Sequence, residues 1–159
     1  MAGNLEFITS ASGTTVSALD LTDCFSADYD VYYLTSSLDI GTGAGFWQSN
    51  LLDSGGSTLT GAYYDVANLE LQANTTFLEY RGTNETCNMY WYLYNLGNPN
   101  KYSFSTHQLS EFDKNAQLRM VFGGNVYTVA ETINAIKVLG VTGTANISGT
   151  ISLYGIAES

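Results

Sequence analysis

The segment Ile147-Ser148-Gly149-Thr150-Ile151-Ser152-Leu153-Tyr154-Gly155-Ile156 alternates with a period of two. Its odd positions are mainly aliphatic or glycine, and its even positions are hydroxylic through Tyr154. An extended chain with this pattern turns one face to a core and the other to water or to a partner. The chain stops three residues later, which predicts a closing strand whose backbone groups are paired inside the fold or in an assembly.

The same periodicity runs through the rest of the chain. Residues 4–17, rich in Ser, Thr and Gly, suit an N-terminal strand and turn, and residues 20–25 suit a short turn. From Asp28, Tyr29, Val31, Tyr33 and Thr35 share one face while Tyr32, Leu34 and Ser36 share the other. The run Gly41-Thr42-Gly43-Ala44-Gly45 interrupts, residues 46–52 form the next strand, and Asp53-Ser54-Gly55-Gly56 is a turn because its glycines accept positive φ. Residues 60–71 read as one helical turn or a packed loop, and residues 75–80 as a strand.

The strongest strand signal is at residues 89–94, where Met89, Trp91 and Leu93 alternate with Tyr90, Tyr92 and Tyr94. A turn follows at Asn95-Leu96-Gly97-Asn98-Pro99-Asn100, then a strand over 102–109. Residues 117–122 and 126–130 flank Gly123-Gly124-Asn125, a hairpin signal. β-Branched residues favour a strand over 133–141. Eight to ten short strands at this turn spacing predict a single all-β domain over residues 1–159, an antiparallel β-sandwich that is jelly-roll-like. A chain of 159 residues buries enough surface for a core without metal or disulfide staples.

Charge narrows the function classes. The net charge is −10, and the five basic residues, Arg81, Lys101, Lys114, Arg119 and Lys137, are scattered. No stripe neutralises successive phosphates, so nucleic acid is not an expected partner, and an anionic membrane is disfavoured too. No apolar run approaches about 18 residues, so no membrane insertion is expected. Charged residues make up 13% of the chain against about 25% in an average domain, while tyrosine occurs 12 times. A surface covered by hydroxyls and amides resists association less than one covered by Lys and Glu, which predicts a permanent interface.

No residue set names a reaction, and a non-enzymatic protein without cofactor or metal is expected. His107 is the sole histidine; it lies in a polar strand, with no Gly-x-Ser-x-Gly nucleophile to serve, and reads as a hydrogen-bonding strand or interface residue. Asp28 and Asp30 bracket Tyr29 on one strand face but lack the further oxygen ligands that calcium needs. The glycine run at 41–45 lacks the Lys-Ser/Thr of a phosphate loop. Cys24 and Cys87 lie far apart and read as buried free thiols rather than a disulfide.

The tyrosines carry the most content. With Met89, Trp91 and Leu93 facing a core, Tyr90, Tyr92 and Tyr94 stand on the opposite side, joined by Tyr32 and by Tyr63 or Tyr64. They offer contact area and hydroxyls at little entropic cost. Three readings stand: a subunit interface, a second layer of the core, or a sugar-stacking platform. In the last of these, Trp47, Tyr92 and Asp65 are the candidate glycan contacts.

Tyr29-Asp30-Val31-Tyr32-Tyr33-Leu34, Asp53-Ser54-Gly55-Gly56, Gly61-Ala62-Tyr63-Tyr64-Asp65-Val66-Ala67 and Gly149-Thr150-Ile151-Ser152-Leu153-Tyr154-Gly155-Ile156 together resemble small β-sandwich virion proteins of tailed phages, especially marine and cyanobacterial ones. The resemblance implies a capsid-decorating or appendage subunit, made in the host cytoplasm and carried on the particle surface. It further implies a homotrimer that contacts the major capsid protein or other virion proteins, with a host surface glycan as a further partner.

Overall fold

The computed structural model describes residues 4–40, 47–59, 64–69, 86–112, 118–140 and 146–157, and at 40, 47, 64–69, 112, 118 and 119 it describes the backbone alone. Strand follows strand throughout these residues: β1 (Asn4–Val16), β2 (Ala18–Leu21), β3 (Val31–Ile40), β4 (Trp47–Leu52), β5 (Tyr64–Leu69), β6 (Thr86–Tyr94), β7 (Ser103–Phe112), β8 (Leu118–Tyr127), β9 (Ala135–Gly140) and β10 (Ile147–Ala157). Seven form one antiparallel sheet in the order β1-β10-β3-β6-β7-β8-β5, and three form a second in the order β2-β9-β4. The two sheets pack as a jelly-roll-like β-sandwich.

Alternation decides which side chains enter the core. On β6, Cys87, Met89, Trp91 and Leu93 are buried. On β10, Ile147, Ile151 and Leu153 are fully buried, and on β3 so are Tyr32, Leu34 and Leu38. They meet Leu19 and Leu21 of β2 and Ile136 and Val138 of β9 in one apolar cluster between the sheets. The closing strand β10 is internal: it pairs with β1 on one side and with β3 on the other.

The turns have identifiable causes. The Asp53 carboxylate accepts from the Gly55 and Ser57 amides at 2.8 Å each, and Gly56 takes φ 78°. After β6, Asn95 adopts φ 64° and its side-chain amide donates to the Tyr102 carbonyl. Cys24 and Cys87 are free and buried.

Three expectations are corrected. Residues 64–69, read as helical turn or loop, are strand β5, paired along its length with β8. Gly123-Gly124-Asn125, read as a hairpin turn, lies inside the continuous strand β8, where Gly124 faces Thr106 on one side and Ala67 on the other. Gly124 answers to a close approach, not a turn: a Cβ there would lie 3.0 Å from the Ser105 carbonyl oxygen. Residues 18–21 form β2 ahead of the expected turn, which begins only near Asp23, at φ 49°. The glycine run at 41–45, the strand expected at 75–80, and Tyr63 lie outside the described residues.

Candidate functional site

Because β6 buries its odd positions, Tyr90, Tyr92 and Tyr94 emerge on the outer face of the seven-stranded sheet, the side turned away from the three-stranded one. The register brings in two tyrosines that sequence reasoning left out of the group. Tyr33 of β3 lies opposite Tyr92, and Tyr154 of β10 lies opposite Tyr33. The rings touch: Tyr33 has its centroid 5.1 Å from Tyr92, 6.0 Å from Tyr90 and 6.3 Å from Tyr154. Tyr90 and Tyr92 meet edge-on at 6.2 Å, and Phe7 of β1 meets Tyr154 edge-on at 5.7 Å. An aromatic band thus crosses four adjacent strands, β1, β10, β3 and β6. Such tilted and edge-to-face pairs add about 0.5–1.5 kcal/mol each beyond area burial.

Polar groups flank the band. The Tyr90 hydroxyl donates to Gln108 Oε1, and the Tyr94 hydroxyl shares a hydrogen bond of 3.5 Å with Thr106 Oγ1. Burial by its neighbours raises the Tyr33 pKa, and the nearby Tyr92, Tyr90 and Tyr154 hydroxyls add to that rise.

Apolar exposure concentrates here. Of seven exposed large apolar side chains among the described residues, six (Leu5, Phe7, Tyr92, Phe104, Met120 and Phe122) stand on this outer face. β7 and β8 carry apolar side chains on both faces: Phe104, Met120 and Phe122 point out, while on the inner side Ser103, His107 and Glu111 of β7 are buried along with Leu109, Val121 and Tyr127. Grouped exposure of this kind calls for an explanation, whereas apolar residues scattered singly over a surface do not.

The other candidates fall elsewhere. Tyr32, grouped from the sequence with the interface tyrosines, is 0% exposed and belongs to the core. Its even position on β3 points it inward, where it packs edge-on against Phe25 at 4.9 Å and its hydroxyl bonds both the amide and the carbonyl of Ser26. Tyr64 and Asp65 lie on β5, two strands beyond β7, and register places Asp65 opposite Val126. Trp47 begins β4 in the other sheet, opposite Gly140, so its strand is not part of the tyrosine face. The side chains of Trp47, Tyr64 and Asp65, and all of Tyr63, lie outside the described set.

His107 is an inward residue 7% exposed, so it is not on the outer face; its Nδ1 has no hydrogen-bond partner, and burial lowers its pKa to about 4. Asp28 accepts from the Ser26 hydroxyl while Asp30 faces Lys101 at 3.9 Å, so the two carboxylates do not converge. Among the described residues, no three of His, Cys, Asp and Glu come together as a metal site. No described helix is long and apolar enough to cross a membrane.

No protein-family model and no curated protein matches the sequence. Among solved structures, the marine PL-14 alginate lyase from Aplysia kurodai is similar at 10% identity over 90% of this chain and 99% of that chain. The TM-score of 0.31 is too low for that likeness to bear on fold or function.

Proposed function

We propose that the protein is a non-enzymatic assembly subunit that associates with copies of itself through the outer face of its seven-stranded sheet. The observation that carries this reading is the collection of six exposed large apolar side chains around the tyrosine band on that face. Size supports it. From β1 to β8 the face spans six strands at about 4.8 Å spacing, and its strands run roughly 33 Å, giving about 800 Å² in projection. That matches the ~800 Å² per partner of a stable protein interface. The face also has the composition of an interface core, aromatic residues with few charges.

The setting on a tailed-phage particle, as a capsid-decorating or appendage subunit with a trimer as the stoichiometry, is supported by the resemblance of the segments quoted above. Major capsid or other virion proteins are then the further partners. A second reading is favoured by the hydroxyl and amide groups beside the band: Tyr94, Thr106 and Gln108 border aromatic rings in the manner of a sugar-binding platform, with a host glycan as ligand.

Light scattering on the purified protein at two concentrations, repeated with Tyr92→Ser, tests the first reading. The expected result is an oligomer that Tyr92→Ser weakens at least tenfold in dissociation constant while the monomer melts at an unchanged temperature. A wild-type monomer at every concentration, or equal loss of assembly and folding in the variant, overturns it. In the wild-type-monomer case, binding on a glycan array that Tyr92→Ser abolishes establishes the second reading.

A further inference from the structure

We infer that β1 is a second self-association site, at which two copies join their seven-stranded sheets edge to edge by antiparallel pairing of Thr9–Gly13. Among the described residues β1 is the terminal strand of its sheet, and its ladder runs to β10 alone. Every second residue therefore turns its amide and carbonyl away from β10, a row that another strand satisfies directly. Edge strands are ordinarily protected by Lys, Pro or bulges. β1 has no lysine, arginine or proline. Its register breaks fall between Phe7 and Thr9 and between Gly13 and Val16, so Thr9–Gly13 runs unbroken against Leu153–Gly149.

That segment fits a copy of itself. Antiparallel pairing centred on Ala11 sets Thr9 against Gly13, Ser10 against Ser12 and Ala11 against Ala11, all small and uncharged. Glu6 is the sole ionised side chain on β1. It lies five residues from the two-fold axis, so the two copies of Glu6 stand roughly 33 Å apart, beyond effective repulsion in physiological salt. Exposure alternates along the segment, with Ser10 and Ser12 outward and Thr9, Ala11 and Gly13 half-buried, so the pairing continues both faces of the sheet. The exposed Leu5 and Phe7 at this edge then extend the aromatic band toward the partner sheet. The contact is isologous, as a two-fold pairing requires.

The inference does not rest on the face-mediated reading. Hydrogen exchange of the full chain at low and high concentration tests it, with Ser10→Lys/Ser12→Lys as the comparison. The Lys side chains project into solvent in the monomer but oppose one another directly in the pair. The expected result is that amides within residues 9–13 exchange at least tenfold more slowly at high concentration in the wild type and in Tyr92→Ser. In the Lys variant that slowing is absent while the melting temperature is unchanged. Exchange at one rate at all concentrations overturns the edge contact, as does slowing that survives both Lys substitutions. Loss of the slowing in Tyr92→Ser assigns the protection to the face contact instead and overturns the edge contact too.

Discussion

The Tyr29 ring sits over Gly155, so close that a Cβ on Gly155 would fall 2.5 Å from two of the ring carbons. Its hydroxyl reaches past β10 to donate to Glu6 Oε2 on β1 at 2.5 Å, and this hydrogen bond is the first cause of the raised Tyr29 pKa. Glu6 is the register partner of Gly155, so one side chain bridges the two strands through the space the glycine leaves. Gly155→Ala is expected to destabilise the fold by about 1–3 kcal/mol through overpacking. Thermal melts of Gly155→Ala, Tyr29→Ala and the double variant check this: the double variant should lose less than the sum of the singles. Additive losses would show that the ring and the glycine do not interact.

Tyr32→Phe should cost about 1–3 kcal/mol although it removes one oxygen atom. The hydroxyl accepts from the Ser26 amide at 2.7 Å and donates to the Ser26 carbonyl at 2.8 Å. Gly97 closes over the same carbonyl, since a Cβ there would lie 1.8 Å from the Ser26 oxygen. Urea denaturation measures the loss. A midpoint within error of wild type would mean that water replaces the phenol at Ser26.

His107 predicts an acid-sensitive term in stability. Burial lowers its pKa from 6.5 to about 4. Between those values the unfolded chain binds a proton that the folded chain does not, so this contribution is full above pH 6.5 and is lost as pH falls toward 4. A shift of that size corresponds to on the order of 3 kcal/mol. Between pH 7 and pH 4.5 the stability difference between wild type and His107→Gln should move toward the variant by about 2–3 kcal/mol. A pH-independent difference would place the imidazole in contact with water.

Both thiols should be inert in the folded protein. Burial pushes Cys24 and Cys87 up to about 12, leaving almost no thiolate at neutral pH. A disulfide-exchange reagent should label neither site in buffer and both in denaturant. Rapid labelling of Cys87 without denaturant would mean that β6 opens locally.

Alternation made much of this fold legible. The period-two patterns at 89–94 and 147–156 fix both the strands and their inward faces, because a strand's side chains alternate whatever the topology. Tyr90, Tyr92 and Tyr94 follow from that alone. Tyr33 and Tyr154 do not, because joining them to the band requires knowing that β10, β3 and β6 are neighbours, a matter of long-range register. Tyr32 is not separable from the outward tyrosines by sequence because the whole cluster around it is aromatic, and type alone does not distinguish a core tyrosine from its outward neighbour Tyr33. The continuity of β8 is hidden in the sequence because two glycines in a strand look like a turn unless strands are known to flank them on both sides. β7, which turns Phe104 out and His107 in although it also buries Leu109, does not follow the rule that apolar residues point inward.

β10 separates β1 from β3, pairing Asn4 with Ala157 and Ile40 with Ile147. During translation β1 therefore leaves the ribosome well over a hundred residues before the strand it pairs with, a wait on the order of ten seconds at ~5–20 residues per second. Throughout that wait the nascent chain has an unmatched β1 and one open side of β3. Slow folding, set by contacts distant in sequence, is the expected cost of placing β10 between β1 and β3.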